Sequence, residues 1–343
     1  MKFKRLYAGI VLALLLALGV SSMAQDAADL EPWVCPPGFE GQRLSVFNWS
    51  TYIADNTIPD FEAACGVTVV YDIFESNEAM LARIRQGNPG YDIVVPSGNT
   101  VGLMIEENLL IPLNKDLIPN LANVSPELLD PPYDPGSLYS VPYQWGTIGI
   151  GYNTEMVGEV TSWEDLWNYS GRVAWLDDRR SMFGIALNLL GFDPNSTDAT
   201  EIRAARDFLL ERGQNVVYIA ADDGQVLLER GDVAMTIEYS GDIIDLGYSC
   251  ECDTYAYVIP DEGTNIWVDN LAIPVGAPNP DLANVFIDYI LHPQVGADIS
   301  NFTAYGSPNE LAIELGLIEE ELLENTSIRS EEHTSELQSL TNL

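Results

Sequence analysis

The chain has 343 residues and a formal net charge of -37, because 52 acidic residues face only 15 basic ones. So strong a negative charge disfavours nucleic acid and anionic membrane surfaces as partners and attracts cations. It also suits a surface adapted to salt, since lysine occurs only at positions 2, 4 and 115. Between its two unusual ends, a body of roughly 300 residues favours two lobes over a single core.

Both ends of the chain are predicted to lie outside the folded body. Residues 1–24 have a positive start, a short apolar run and small residues before position 25, the pattern of a secretory signal peptide. The run is too short for a good membrane span, so we expect the mature protein to be periplasmic or otherwise extracytoplasmic. Residues 329–343 resemble the translation of a sequencing-adapter oligonucleotide, and we expect this tail to be non-native.

The four cysteines indicate disulfides, because an exported protein meets an oxidising environment. Cys35 and Cys65 each precede a predicted strand, and they could meet if those strands are neighbours. Cys250 and Cys252 would close a very small ring or stay reduced. The sequence predicts neither a metal site nor a cofactor, since His292 is the one histidine before the tail.

Apolar stretches typical of strands alternate with helical patterns, which predicts an α/β protein after a loose lead over residues 25–43. We predict strands at 44–48, 67–71, 91–96, 172–176, 216–220, 233–237, 255–259 and 266–273. We predict helices beginning near Pro59, Ser76 and Ser162, and helices over 181–190, 201–212, 226–230, 281–291 and 293–300. Residues 97–99 are predicted to form a turn, and the extended run over 147–152 suits a crossing between two lobes.

Aromatic and acidic residues collect at the carboxyl ends of these strands, where ligands bind in parallel sheets. Trp267 and Asp269 share one face of their strand, because side chains alternate. An indole beside a carboxylate can hold an organic ammonium by cation–π attraction and a charge-assisted hydrogen bond. The candidate ligand-binding residues are Trp49, Tyr52, Ser97, Asp178, Tyr239, Asp242, Trp267, Asp269 and Tyr305. This set suits a flexible polycation, with aromatic faces for methylenes and carboxylates for ammonium ends.

Seven motifs follow one another along the body. They are Asn48-Trp-Ser-Thr-Tyr52, Phe74-Glu-Ser-Asn-Glu78, Tyr91-Asp-Ile-Val-Val-Pro-Ser97, Val141-Pro-Tyr-Gln-Trp-Gly146, Thr161-Ser-Trp-Glu-Asp-Leu-Trp167, Tyr239-Ser-Gly-Asp242 and Trp267-Val-Asp-Asn-Leu-Ala-Ile-Pro274. Their order and spacing resemble the spermidine/putrescine-binding proteins of polyamine ABC transporters over about residues 44–316. The resemblance implies a two-lobed periplasmic-binding-protein fold, type II-like, with a mainly parallel sheet flanked by helices in each lobe. We expect one lobe from residues 44–146 plus 271–328, the other from 147–270, and the ligand in the cleft between them.

The resemblance also implies a function: a monomeric, non-enzymatic protein captures putrescine or spermidine and delivers it to a membrane permease. The nine candidates match the family's ligand positions, with Trp49 and Tyr52 in the Asn-Trp-x-x-Tyr motif and Asp178 as an acidic ligand. Asn99 and Ser181 depart from the pattern, because some relatives carry an aromatic residue and a glutamate there. These departures leave open which polyamine is bound.

Other functions remain open at this point. A solute-binding protein for an amino acid would use arginine for the carboxylate, and Arg179 and Arg180 lie near the site. A ferric-ion protein would use clustered tyrosines. A hydrolase is less favoured, since the sequence has no Gly-x-Ser-x-Gly pattern. Among neighbouring residues we predict packing roles for Trp163 and Trp167, a hinge position for Trp145 and a helix cap at Asp177.

Overall fold

The computed structural model describes residues 30–221 and 223–324, so the predicted signal peptide and the predicted non-native tail lie outside the described residues. The strands are β1 (Arg43–Trp49), β2 (Thr68–Phe74), β3 (Ile93–Val94), β4 (Ser140–Asn153), β5 (Val173–Leu176), β6 (Val216–Ala220), β7 (Met235–Tyr239), β8 (Tyr255–Val258) and β9 (Ile266–Ala272). The helices are α1 (Thr57–Cys65), α2 (Asn77–Arg85), α3 (Gly98–Glu106), α4 (Thr154–Val157), α5 (Trp163–Trp167), α6 (Arg179–Leu189), α7 (Ala199–Arg212), α8 (Gly224–Glu229), α9 (Ser240–Cys250), α10 (Pro280–Ile290), α11 (Pro293–Thr303), α12 (Glu310–Glu314) and α13 (Glu320–Glu324).

The strands form two sheets that share β4. The order along the path is β2-β1-β3-β9-β4-β7-β5-β6, and β8 also pairs with β4. The predicted parallel arrangement is confirmed for β2, β1 and β3 and for β7, β5 and β6. It does not extend to β4 and β9, which run antiparallel to each other and to β7 and β3 respectively. Each sheet is therefore mixed, because antiparallel pairs join β9 to β3 in the first sheet and β4 to β7 in the second.

The long strand β4 pairs first in one sheet and then in the other, and its partners change between two consecutive residues. Its residues up to Thr147 pair with β9, and from Ile148 onward they pair with β7 and β8. Trp145, predicted as a hinge residue, lies in this strand just before the change of partner, and Gly306 pairs with it in an isolated bridge. The first sheet and the second sheet are thus joined by the continuous strand β4.

Each sheet has its own apolar core. In the first, Phe61 of α1 packs edge-on against Phe286 of α10 with ring centroids 4.9 Å apart. In the second, Trp163 and Trp167 stack at 5.7 Å and are buried, which confirms their predicted packing role. Within the described residues, no helix is long and apolar enough to cross a bilayer.

Two helices of the site were not predicted. Residues 97–99 were predicted as a turn but begin α3, with Ser97 in extended backbone as its N-cap. The stretch after β7 was given no helix, yet it forms α9. Glycines and β-branched residues in α9 disfavour a helix locally, but Ile243 and Ile244 pack into two different cores and override that propensity.

The N-terminal lead, predicted to be loose, packs on the first sheet's core through Trp33, Cys35 and Phe39. A disulfide joins Cys35 to Cys65 at the end of α1, as expected. The indole N–H of Trp33 donates to a carboxylate oxygen of Asp288 at 2.8 Å, and its ring lies 4.9 Å from that of Tyr289. Irregular backbone is therefore held here by side chains, which strand and helix patterns do not reveal. The Cys250–Cys252 bridge, left open by the sequence, is also formed.

Opening the Cys35–Cys65 disulfide is expected to destabilise the protein. The bond closes a loop of 30 residues, and the chain-entropy model assigns such a loop about 3–4 kcal/mol. We expect Cys35→Ser with Cys65→Ser to lower the unfolding free energy in urea by that amount. Cys250→Ser with Cys252→Ser is the control and should have a smaller effect, because its loop spans two residues. Equal losses in the two double variants would contradict this account.

Candidate functional site

A cleft with a volume of about 1640 Å³ lies where the two sheets meet. All nine predicted residues line it, although they come from six separate segments of the chain. They lie at the ends of β1, β5 and β7, at the starts of α3 and α9, within β9, and in the loop after α11. The structure therefore brings the whole predicted set to one place.

Asp269 is the most enclosed carboxylate of the set, with only 5% of its surface exposed. The hydroxyl of Ser97 donates to its Oδ1 at 2.6 Å. Asn77, at the start of α2, fixes that hydroxyl in turn: its side-chain amide donates to the Ser97 oxygen at 2.9 Å and accepts from the Ser97 backbone N–H at 3.1 Å. The carboxylate is therefore held in one orientation by a chain of two side chains.

Burial raises the pKa of Asp269 to about 7, because a charge is costly to desolvate. The Ser97 hydrogen bond and the nearby Tyr52 hydroxyl act in the opposite direction, while the negative charge of Asp178 adds to the rise. Tyr52 is itself 5% exposed, and its hydroxyl stands outside the geometry of a regular hydrogen bond. Asp269 thus lacks the countercharge that would favour its ionised form.

Aromatic rings enclose the space beside Asp269. The ring of Trp267 meets the edges of Tyr305 and Tyr239 at centroid distances of 5.0 and 5.9 Å, and Tyr52 lies 6.3 Å away. Gly146 permits this approach, because a Cβ there would lie 2.6 Å from the Trp267 ring. The site therefore has a packed aromatic wall next to a buried carboxyl group.

Trp49 forms another part of the lining and is held rigidly. Its indole N–H donates to the backbone oxygen of Val95 at 2.9 Å, and its ring packs on Phe74 at 4.5 Å. With its polar atom already bonded, this side chain can offer a ligand its apolar face only.

Asp242 and Asp178 lie on the second sheet's side of the cleft. Asp242 was predicted at a strand end but lies in the first turn of α9, where the Tyr305 hydroxyl donates to its Oδ2 at 2.7 Å. Asp178 accepts from the backbone N–H of Ser181 at 3.1 Å and from its hydroxyl at 2.7 Å. The predicted cap at Asp177 is wrong: Asp178 caps α6, because it is the last extended residue before the helix.

Charge in the cleft is strongly one-sided. The described lining carries nine carboxylates, namely Glu75, Glu78, Glu106, Asp177, Asp178, Glu229, Asp242, Asp245 and Asp269. Arg180 is the one basic side chain of that lining, and its guanidinium donates to Asn195 at 2.6 Å. Arg179 lies 3.7 Å from Glu78 across the cleft mouth. Low-dielectric walls with one sign of charge concentrate ligands of the opposite sign.

Asn77, Tyr133 and Gln225 line the cleft but were not selected by the sequence analysis. Asn77 looked like part of a helix cap, and Tyr133 lies in a stretch rich in proline and glycine that reads as surface loop. Gln225 lies in α8 and donates to Asp242 at 3.5 Å. None of them follows a predicted strand, so the rule that selected every candidate except the loop residue Tyr305 could not select these. Among the described residues, no cluster of three or more His, Cys, Asp or Glu side chains could hold a metal ion.

Comparisons with known proteins identify a matching family, similar sequences and a similar solved structure. A family model described as bacterial extracellular solute-binding protein matches residues 56–322. The putrescine-binding periplasmic protein PotF of Escherichia coli is 33% identical over 346 residues, covering 95% of this chain and 89% of the relative. The spermidine/putrescine-binding periplasmic protein of E. coli is 33% identical over 307 residues, covering 88% and 85%. The crystal structure of the spermidine/putrescine ABC transporter substrate-binding protein PotD from Streptococcus pneumoniae superposes with a TM-score of 0.72 at 32% identity, covering 88% of this chain and 99% of that one.

Replacing the buried carboxyl group is expected to stabilise the ligand-free protein above neutral pH. The folded protein keeps the Asp269 proton up to about pH 7, whereas an unfolded chain loses it near about pH 4, so stability falls as pH rises through this window. Asp269→Asn should raise the unfolding free energy at pH 8 by on the order of 3 kcal/mol, since one pKa unit equals about 1.4 kcal/mol.

The measurement is urea unfolding of the ligand-free protein at about pH 4.5 and at about pH 8, near the two ends of this pH window. Asp177→Asn is the matched control, because it removes the same charge from an exposed position in the same cleft. A gain from Asp269→Asn that is no larger at the higher pH would contradict the assignment.

Proposed function

This chain belongs to the family of bacterial extracellular solute-binding proteins, and on that premise we propose that it captures a linear polyamine, putrescine or spermidine. We propose further that it works outside the cytoplasm as a monomer and delivers the ligand to the permease of an ABC transporter. The family is defined by binding and not by catalysis, so the cleft is a recognition site.

One observation carries the choice of ligand: a desolvated carboxyl group lies beside an aromatic wall in a cleft lined by carboxylates. A primary ammonium at Asp269 would supply the missing countercharge and favour the ionised form of that group. The face of Trp267 would add cation–π attraction, which is strongest when the cation is desolvated. An aliphatic diamine or triamine has just these parts, charged ends joined by methylenes.

The opposite end of the ligand is assigned to the acidic group on the second sheet's side. We place its ammonium near Asp242 and Asp178, with Tyr239 beside them, since the Tyr239 hydroxyl lies 3.5 Å from Asp178. The apolar faces of Trp49 and Tyr52 would cover the methylenes. Both ends of a polyamine would then meet carboxylates while its middle meets rings.

Binding is proposed to close two lobes on the ligand. Because β9 pairs with β3 and β4 of the first sheet, we assign it to the first lobe, which then comprises residues 44–146 plus 266–324, and residues 147–265 form the second lobe. The change of partner along β4 between Thr147 and Ile148 supports this boundary, because β4 is the strand that pairs in both sheets. Closure of this kind draws on the differential affinity of the ligand for the closed state.

An amino acid fits this cleft less well. Its carboxylate would enter a lining of nine carboxylates, and the nearby guanidinium groups of Arg179 and Arg180 already have Glu78 and Asn195 as partners. A ferric ion would need a compact set of anionic ligands at one point, whereas the carboxylates here are spread along the cleft walls.

Isothermal titration with putrescine, cadaverine, spermidine and spermine tests the proposal directly. We expect one-to-one binding of at least one of them at about micromolar Kd or tighter, because two ammonium groups and buried methylenes contribute. Glutamate and ferric citrate are the comparison ligands and should give no heat. Binding of glutamate with no response to any amine would overturn the proposal.

Asp269→Asn is expected to weaken binding of the preferred polyamine by about 2–4 kcal/mol, because a desolvated ammonium would lose its countercharge. Asp177→Asn removes the same charge from the cleft mouth, where solvent screens it, and should change the affinity about threefold or less. An unchanged Kd in Asp269→Asn would remove this residue from the site.

A further inference from the structure

We propose that Tyr133 is a positioning residue for the ligand cleft, and that it keeps Ser97 aligned with Asp269 by holding the start of α3 and Asn270 together. The inference rests on the proposed function, because it concerns how the same site is kept in order. It adds a residue that lies in a loop, away from every predicted strand end.

The loop that carries Tyr133 is held in place by the buried carboxylate of the next residue. The neighbouring residue Asp134 is 1% exposed, and its carboxylate accepts from the backbone N–H groups of Leu138, Tyr139 and Ser140 at 2.8 to 3.0 Å. A buried carboxylate with several N–H donors fixes the turn around it. Tyr133 is therefore presented from a constrained turn, and its position does not depend on its own contacts alone.

The ring of Tyr133 lies directly on the first turn of α3. A Cβ added to Gly98 would lie 2.5 Å from its Cε1 atom, and one added to Gly102 would lie 3.3 Å from its Cβ atom. Residues four apart share one face of a helix, so the two glycines form a flat seat for this side chain. Ser97 is the N-cap of the same helix, and any shift of this turn moves the Ser97 hydroxyl.

The hydroxyl of Tyr133 reaches the other partner of the site. It lies 3.3 Å from both the Oδ1 and the Nδ2 atoms of Asn270, which directly follows Asp269 and is fully buried. The backbone N–H of Asn270 donates to the oxygen of Pro96 at 2.9 Å. Tyr133 thus contacts the segment on each side of the Ser97–Asp269 hydrogen bond.

Loss of the Tyr133 contacts is expected to raise the pKa of Asp269. The Ser97 hydrogen bond favours the ionised form of Asp269, so a misaligned Ser97 raises the pKa of that carboxyl group further. The other titratable groups that act on Asp269, Tyr52 or Tyr133 are Tyr143, Asp134, Asp178 and Asp242. As the pH is lowered, the affinity for the polyamine should therefore begin to fall at a higher pH in the Tyr133 variants than in the parent protein.

The test uses Tyr133→Ala, which removes the ring, and Tyr133→Phe, which removes only the hydroxyl. With whichever polyamine the parent protein binds, we expect Tyr133→Ala to raise Kd about tenfold and Tyr133→Phe about threefold. The pH at which affinity is half lost should rise by about half a unit in Tyr133→Ala. Tyr139→Ala is the control, because Tyr139 lies in the same loop and, like Tyr133, packs against the core around Phe47, whereas the contacts with Gly98 and Asn270 are made by Tyr133. It should therefore affect stability without moving that pH.

A second readout does not depend on any ligand. Carbon-13 NMR of the Asp269 carboxyl group, assigned with Asp269→Asn, reports its titration in the ligand-free protein, and we expect its midpoint to rise in Tyr133→Ala. If the parent protein binds no polyamine, the proposed function fails while this titration still decides the role of Tyr133. Unchanged titration and unchanged Kd in both variants would overturn the inference, and Tyr133→Phe decides alone if Tyr133→Ala does not fold.

Discussion

The arrangement of the cleft depends on keeping one carboxyl group, Asp269, out of water with too few hydrogen bonds to satisfy its charge. Such a group destabilises the folded chain unless a cation arrives, so the remaining structure has to hold it in place. Asn77 and Ser97 do so from the first sheet's helices, and the tyrosine and tryptophan rings exclude solvent on the other side. Selectivity for an organic cation, as proposed here, would follow from this unmet demand more than from the overall negative charge of the protein.

The pairing of β9 answers a geometrical requirement that this site creates. A cleft that is to close must draw ligands from two bodies, yet its most buried group has to be positioned to within fractions of an ångström. β9 places Trp267 and Asp269 in a strand that is paired on both sides, with β3 and with β4. Asp178, Tyr239 and Asp242 come from the second sheet and its helices. The most precisely held part of the site thus belongs to β9 in the first sheet, and the residues that would move toward it on closure belong to the second sheet's side.

Sequence patterns predicted most of the fold and the candidate residues, for reasons that can be traced. Alternation along β9 placed Trp267 beside Asp269, and the strand-end rule collected eight residues that, with the loop residue Tyr305, line one cleft. The family resemblance is confirmed by the matching family model and relatives. What the patterns missed depends on contacts between distant segments: α9 is helical because Ile243 and Ile244 enter two cores, and the lead is ordered because Trp33 bonds to Asp288, 255 residues away. The role of each candidate residue toward a ligand stays a prediction.

Helix α9 has a consequence for how the far end of the chain acts on the cleft. Its first turn carries Asp242, and two residues later Ile244 is buried with Ala297, Ala312 and Leu322 of helices α11, α12 and α13. The C-terminal helices, on the first lobe's side, therefore pack directly against the helix that carries Asp242, and closure of the cleft would change this contact. A fluorophore attached to an exposed position on α13 would report the filling of the cleft without touching the ligand, which makes this helix a natural output for a sensor built from the protein.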